Sequence, residues 1–401
     1  MALQFPIYLD HHATTPVDPR VLEAMLPFFV EEFGNPSSQT HAFGWRAEAA
    51  VEDARERIAR AIGAADPREI VFTSGTTESD NLALKGVARA GRRRGDHLIT
   101  VETEHPAVLD TCRALEAEGF RVTRLPVDAE GLVDPEDVAR AVTDRTLLVS
   151  VMAANSEIGV LQPLAAIGRI CRARGVTLHS DAAQAVGKLP LDVHELGIDL
   201  LSFCAHKLYG PKGVGALYVR RQQPRLPLEP LLHGGGQELG WRPGTLPVPQ
   251  IVGFAKALEL CLADLPAEAQ RISGLRDELW SRLSHELPEI RRNGHAVNRL
   301  PGNLNVCFAG IEADALLVAL REVALSSGSA CASGSGETSH VLRALGLGDA
   351  LARSAVRFGI GRQNTAEELV WVAQRLIALV RELRAQRARP GSPKQRSASS
   401  L

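Results

Sequence analysis

The chain predicts an α/β protein: a mostly parallel sheet covered by helices in a large domain, followed by a smaller α+β domain. Three observations carry this. From about Asp18 to Val219, helix-like stretches alternate with short apolar or β-branched runs, the signature of a parallel sheet with helices on both faces. Two of the runs, residues 176–178 and 198–203, lead straight into polar segments holding Asp181 and Lys207. Ligands bind at such carboxyl edges of open α/β sheets. Beyond Pro247 the alternation stops, and a long helical stretch gives way to mixed short strands and helices.

Taken in order, the helical stretches are 21–32, 42–62, 78–92, 108–118 and 164–174. The strands between them are clearest at 70–73, 97–101, 121–125 and 146–152, where β-branched and apolar residues dominate. Residues 251–287 contain few breakers and read as one long helical stretch. Strands at 304–308 and 354–360 and helices at 313–322 and 366–386 complete the smaller domain. The large domain is set at 16–261, and 1–15 with 262–386 form the small one. From Arg387 the chain is rich in basic residues, Pro, Gly and Ser, has little to bury, and is expected to be a disordered tail.

The formal net charge of the 401 residues is −2, so no global basic field points to direct nucleic-acid binding. No run of about 18 uncharged apolar residues exists, and the first residues lack a charged segment followed by an apolar core, so neither membrane span nor secretory signal is expected. The six cysteines form no CxxC pair and no metal spacing with a nearby histidine. They are expected to be reduced thiols in the cytoplasm, with no metal site.

Several constellations carry chemistry. An aspartate and a lysine at the exits of two buried strands, Asp181 and Lys207, would converge at one sheet edge. A lysine amine can form a Schiff base with the aldehyde of pyridoxal 5'-phosphate, and a carboxylate can keep that cofactor's pyridinium nitrogen protonated. Each residue alone also suits a solvated charge or a helix cap. In residues 70–79 a strand turns through Gly75 into a helix that begins with Thr76 and Thr77. Free N–H groups and hydroxyls there suit a phosphate, or simple N-capping, and His206 adds another donor. His105 follows a strand and could lie flat on an aromatic ring or cap the next helix. Asn155 also follows a strand; its amide could donate to a cofactor oxygen or a substrate carboxylate, or belong to an ordinary turn. Arg357 interrupts an apolar strand and needs an anion, either a substrate carboxylate or a structural partner. Cys331 lies among small polar residues at 326–336 that cannot bury a thiol well. A nucleophile that visits a pocket and then presents its product elsewhere would explain it; a linker that happens to hold a cysteine is the plainer account.

With these residues in view, the chain closely resembles the pyridoxal-phosphate-dependent cysteine desulfurases of the IscS/NifS type. The matching segments include Tyr8-Leu9-Asp10-His11-His12-Ala13-Thr14-Thr15-Pro16, Asn35-Pro36-Ser37-Ser38, residues 73–81, Thr103-Glu104-His105, and residues 155–159 and 180–184. They continue through 206–218, 233–236, 242–247, 326–333 and 340–343, in order along almost the whole chain. The resemblance implies the fold type I architecture of pyridoxal-phosphate transferases, with a seven-stranded sheet and a homodimer. It implies that Lys207 holds the cofactor and moves protons, Asp181 pairs with the ring nitrogen, Gln184 bonds the ring's phenolic oxygen and His105 stacks on the ring. Thr76, Thr77 and His206 would hold the phosphate, joined by Thr245 from the neighbouring subunit. Asn155 and Arg357 would bind the substrate carboxylate.

The implied reaction converts L-cysteine to L-alanine, with Cys331 taking the sulfur as a persulfide. A sulfur acceptor serving iron–sulfur clusters, thiolated tRNA or another thio-cofactor would then receive it. Two other readings fit the same residues: a selenocysteine lyase, and a partner-activated sulfur-relay protein with low turnover. The chain departs from the family where Cys204 replaces a serine of the phosphate-binding segment and Ala205 replaces the following glycine.

Overall fold

In this computed structural model, which describes residues 3–222, 225–327 and 338–388, the chain begins with a two-residue strand, β1 (Ile7–Tyr8). It then builds its main sheet from β2 (Ile70–Thr73), β3 (His97–Val101), β4 (Arg121–Leu125), β5 (Thr146–Ser150), β6 (Thr177–Asp181), β7 (Leu200–Cys204) and β8 (Gly215–Val219). Their order across the sheet is β2-β8-β7-β6-β5-β3-β4. All neighbours run parallel except β8, which is antiparallel to both β2 and β7. The reversal follows from the link between β7 and β8, which holds no crossover helix to carry the chain back. Lys207 lies in that link.

Alternate strand residues point to opposite faces. Ile70, Phe72, Ile99, Val149, Leu178 and Phe203 join one core with the helices Ala42–Ala61 and Val248–Leu262. Val71, Leu98, Leu148, Leu200 and Leu217 join the other, beneath Thr76–Ala90 and Pro106–Ala117. The expected mostly parallel, helix-covered sheet of seven strands is therefore what forms. β4, at the sheet edge, is the one strand of the seven with an exposed, half-buried pattern.

A second sheet uses β9 (Ile290–Asn293), β10 (Asn303–Phe308), β12 (Ser326–Ser327) and β13 (Ala355–Gly359), while β11 (Val323–Ala324) pairs in parallel with β1. The order is β12-β13-β10-β9, antiparallel throughout. Its core joins Leu304, Val306, Phe308, Val356 and Phe358 to Ile272, Leu279 and Leu283 of helix Leu265–Glu286 and to Val372, Leu376 and Val380 of helix Ala366–Ala388. Ile7 and Leu9 belong to the same core, so the N-terminal segment packs with this unit.

Three expectations change. The stretch 21–32 is two helices, Pro19–Met25 and Pro27–Val30, because Pro27 has no N–H to continue the first ladder. The stretch 251–287 likewise divides into Val248–Leu262 and Leu265–Glu286, the second starting with a proline in its first turn. Arg387 is not the start of a tail: the last helix runs to Ala388, and Arg387 donates to the Gly310 carbonyl. Residues 389–401 lie outside the described residues. Among the described residues, no helix is long and apolar enough to cross a membrane, and no cluster of His, Cys, Asp and Glu could hold a metal ion.

One buried ion pair fixes the edge of the main sheet. Arg55 makes a two-point contact with Glu238, at 2.7 and 2.9 Å. Glu238 also accepts the Phe72 N–H at 2.6 Å, and Arg55 donates to the Ile70 carbonyl at 2.6 Å. The turn at Gln237–Gly240 is thus held to β2 although Glu238 sits at φ 49°. Glu238→Ala should lower stability by about 3–5 kcal/mol, because it leaves a buried guanidinium without its acceptor. Denaturant unfolding of the variant beside the parent protein measures the loss, and Glu238→Gln should lose less.

Candidate active site

Neighbouring parallel strands bring the chemistry together. Asp181 is the last residue of β6 and is paired in register with Ser202 of β7; Lys207 follows the end of β7. Both line a cleft of about 580 Å³ at the carboxyl edge of the sheet, within the range of small-molecule sites. Thr76, Thr77, His105, Cys204, His206 and Arg357 line the same cleft. Eight of the residues singled out in the sequence therefore face one space.

The end of the cleft expected to take a phosphate is built by the turn from β2 into helix Thr76–Ala90. Gly75 is its N-cap, at φ 153°, and offers no side-chain cap to the first N–H groups. Glu78 reaches back to the Ser74 N–H at 2.7 Å and pairs with Arg242 at 2.9 Å. The Thr76 hydroxyl is buried without a hydrogen-bond partner. An uncapped helix start and an orphaned hydroxyl in one cleft fit a phosphate. His206 contacts the Thr14 hydroxyl through Nδ1 at 3.2 Å. Burial and then the charge of Lys207 push its imidazole down to about 4, so it is neutral.

His105 caps helix Pro106–Ala117, as one of its two readings expected, and it also lines the cleft. Its Nδ1 accepts the Ala107 N–H at 3.1 Å. In the neutral ring that bond places the proton on Nε2. Burial, the largest influence, lowers its pKa, which favours the neutral ring.

Behind Asp181 lies a buried polar group that the sequence reading did not anticipate. Asp80, on helix Thr76–Ala90, is fully buried and neither carboxyl oxygen has a hydrogen-bond partner. His179 Nε2 is 3.5 Å away, and His179 itself contacts Ser150 at 2.8 Å and Ser202 at 2.9 Å. Burial and then the charge of Asp181 push the Asp80 carboxyl well above its ordinary range. Burial pushes His179 down to about 4. A histidine inside the apolar run of β6 and an aspartate on an otherwise buried helix face were the available signals. Glu104 is a further buried carboxyl, accepting the Met152 N–H at 2.5 Å.

Three predicted residues are not in the cleft lining. Asn155 holds its own turn: Oδ1 accepts the Glu157 and Ile158 N–H groups at 2.8 and 2.9 Å, and Nδ2 donates to Thr103 at 3.0 Å. Gln184 donates to the His12 carbonyl at 2.8 Å and accepts from Lys188 Nζ at 2.8 Å, alongside a 3.0 Å contact with His12 Nδ1. Burial and then the charge of Lys207 lower Lys188 to about 7. Thr245 is exposed on the loop that carries Arg242. Cys331 lies outside the described residues. The other five cysteines are all buried.

Just beyond the segment holding Cys331, Ser339 donates to Glu157 Oε2 at 2.8 Å and His340 contacts the Glu104 carbonyl at 2.9 Å. Burial raises the Glu157 carboxyl from 4.5 to about 8. The folded chain thus keeps a proton there that the unfolded chain has released, so this site's contribution to stability falls as pH rises from 4.5 to 8. Glu157→Gln, which has no charge to bury, should match the parent protein at pH 5 and exceed it at pH 8 by roughly 2–4 kcal/mol. Unfolding midpoints at the two pH values provide the comparison.

Comparison with known proteins agrees with this geometry. The Aminotransferase class-V family model matches residues 7–372. Cysteine desulfurase of Mus musculus is 55% identical over 379 residues, covering 94% of this chain and 82% of the mouse protein. Cysteine desulfurase IscS of Anaeromyxobacter sp. (strain Fw109-5) is 55% identical over 382 residues, covering 95% of this chain and 94% of that protein. A solved structure described as a NifS-like protein superposes with a TM-score of 0.87 at 39% identity, over 94% of this chain and 99% of that one.

Proposed function

The chain belongs to the class-V aminotransferase family and is a cysteine desulfurase, and from that premise we propose how its own residues perform the reaction. The observation that carries the proposal is the convergence of Lys207, Asp181 and the open start of helix Thr76–Ala90 on one cleft. An amine, a carboxylate and a phosphate cradle in one space fit pyridoxal 5'-phosphate, the cofactor that the family implies. Bound there, it supplies an electron-withdrawing ring that makes the α-proton of an amino acid labile and weakens the bond from Cβ to sulfur.

The protein's groups do the rest. Thr76, Thr77 and His206 hold the phosphate, and Asp181 keeps the ring nitrogen protonated. Lys207 fixes the cofactor and carries the substrate's proton from Cα. His105 stacks on the ring, oriented by the Ala107 N–H. Arg357 binds the substrate carboxylate. Asn155 and Gln184 act on the cofactor and substrate through the segments they brace, at 155–158 and at His12.

The sulfur step needs a thiolate. Burial, the largest influence in each case, pushes the thiols of Cys112 and Cys171 up to about 12 and raises those of Cys204, Cys261 and Cys307. None of these five is suited to attack, which supports Cys331. Its thiolate attacks the sulfur of L-cysteine, a sulfur–sulfur bond forms, and the carbon–sulfur bond breaks toward the substrate. Protonation of the remaining fragment releases L-alanine, and Cys331 holds the persulfide, which a nucleophilic sulfur acceptor then takes. That acceptor would serve iron–sulfur clusters, thiolated tRNA or another thio-cofactor. A homodimer completes the site: Thr245 reaches the phosphate of a second copy. Exposed Leu26, Phe29, Val30, Phe33 and Trp45 offer an apolar surface for that pairing.

Alanine released from L-cysteine with a thiol reductant tests the assignment. The parent protein should produce alanine, and Cys331→Ser should retain the cofactor's visible absorption while losing turnover at least 100-fold (order of magnitude for a lost nucleophile). Persulfide transfer by Cys331→Ser would refute the role of this cysteine.

A further inference from the structure

The hydrogen bonds around Arg357 leave no adjacent pair of free donors for a two-point carboxylate contact. A guanidinium carries five N–H groups, two each on Nη1 and Nη2 and one on Nε. Nη2 of Arg357 donates to Asp10 Oδ1 at 2.8 Å and to the Ser326 hydroxyl at 2.8 Å, so both of its hydrogens are engaged. Nη1 donates to the Ser156 carbonyl at 3.1 Å. Nε is buried and has no partner. The whole residue is only 3% exposed, yet it lines the cleft.

A two-point pairing with a carboxylate uses adjacent N–H groups, either Nε with Nη2 or Nη1 with Nη2. Both require an Nη2 hydrogen. An incoming carboxylate must therefore replace Asp10 or Ser326. The Asp10 contact joins two opposite charges, whereas the Ser326 contact joins a charge to a neutral hydroxyl and is the weaker. Ser326 also donates its own hydrogen to Asp10 Oδ1 at 2.8 Å, so it keeps a partner after leaving Arg357. Ser326 stands directly opposite Arg357 across the β12–β13 pair, and β12 leads in sequence toward Cys331.

We propose that Ser326 is a positioning residue that occupies the carboxylate position of Arg357 until an amino acid displaces it, with Asp10 as the fixed counterion. This rests on the reading of Arg357 as the carboxylate-binding group. Occupation of the carboxylate site is thereby signalled to the strand that precedes the nucleophile. A serine that merely pins β12 to β13 would give no such dependence on the ligand's carboxylate.

The test uses the cofactor-loaded protein and two probes, L-alanine and L-alanine methyl ester, which differ in the free carboxylate. Binding is followed by the change in visible absorption. Ser326→Ala should bind L-alanine about 2–10-fold more tightly, the worth of one competing hydrogen bond, and bind the ester unchanged. Ser326→Thr, which keeps the hydroxyl, should behave as the parent. Independently, L-alanine but not its ester should speed hydrogen exchange at the Ser326 and Ser327 amides of the parent protein. Unchanged or weaker L-alanine binding by Ser326→Ala, with Arg357→Lys clearly impaired, would overturn the exchange while leaving Arg357 in place. Equal L-alanine binding by Arg357→Lys and the parent would remove the underlying reading as well.

Discussion

The floor of the cleft depends on a buried carboxyl: burial and then the charge of Asp181 push Asp80 well above its ordinary range. Two buried carboxylates cannot both ionise cheaply. The fold assigns different surroundings to each. Asp181 ends its strand at the cleft and accepts the Ala183 N–H at 2.9 Å. Asp80 is fully buried on helix Thr76–Ala90, with His179 Nε2 at 3.5 Å. Burial, more than the neighbouring charge, therefore favours the protonated form of Asp80. His179 cannot take over as counter-charge, because burial keeps it neutral. Its bonds to Ser150 and Ser202 instead fix the spacing of β5, β6 and β7, the strands that set where Asp181 and Lys207 end.

The opposite wall of the cleft comes from the second unit and from the N-terminal segment. Arg357 is on β13 of the small sheet, while His12, Ala13 and Thr14 arrive from the chain after β1. The two walls are tied by bonds that cross between the units. Thr15 donates to the His206 carbonyl at 2.9 Å, and Arg357 reaches the Ser156 carbonyl at 3.1 Å. These hydrogen bonds connect the substrate end to the cofactor end beside an apolar cluster that joins Ile158 and Val160 to Val341, Leu342 and Ala355. Such bonds can exchange partners without repacking a core, which is the physical opening for a ligand to move Ser326 but not Asp10.

Much of this was legible in the sequence, for reasons that differ by residue. Asp181 and Lys207 could be placed because each follows a short apolar run, and the ends of buried parallel strands share an edge. Thr76 and Thr77 were legible from the glycine turn before a helix. His105 is a helix cap that also lines the cleft, so its cap reading did not exclude a place there. Asn155 and Gln184 were less legible because an amide's partners depend on backbone brought in by folding: Thr103 for one, His12 for the other. Asp80 was missed since its helix, Thr76–Ala90, looks amphipathic, and only the tertiary fold shows that both sides are covered. The breaks before Pro27 and at Ala263–Asp264 were misread because hydrophobic periodicity continues across them while the hydrogen-bond ladder does not. The antiparallel β8 needed a topological fact, the missing crossover helix, that local pattern does not carry.

Cys204 puts a thiol at the cleft, and that thiol has to be kept from competing with the proposed nucleophile, Cys331. Burial does so. Cys204 is 2% exposed, and loss of water raises its pKa more than the nearby Lys207 charge lowers it. The protonated thiol is a poor nucleophile and a weak donor, so the proposed phosphate site rests on the Thr76 hydroxyl, the helix N–H groups and neutral His206. The same reasoning separates all five buried cysteines from the one embedded in small polar residues. Selectivity among six thiols in one chain then has a solvation argument on one side: burial holds five of them protonated.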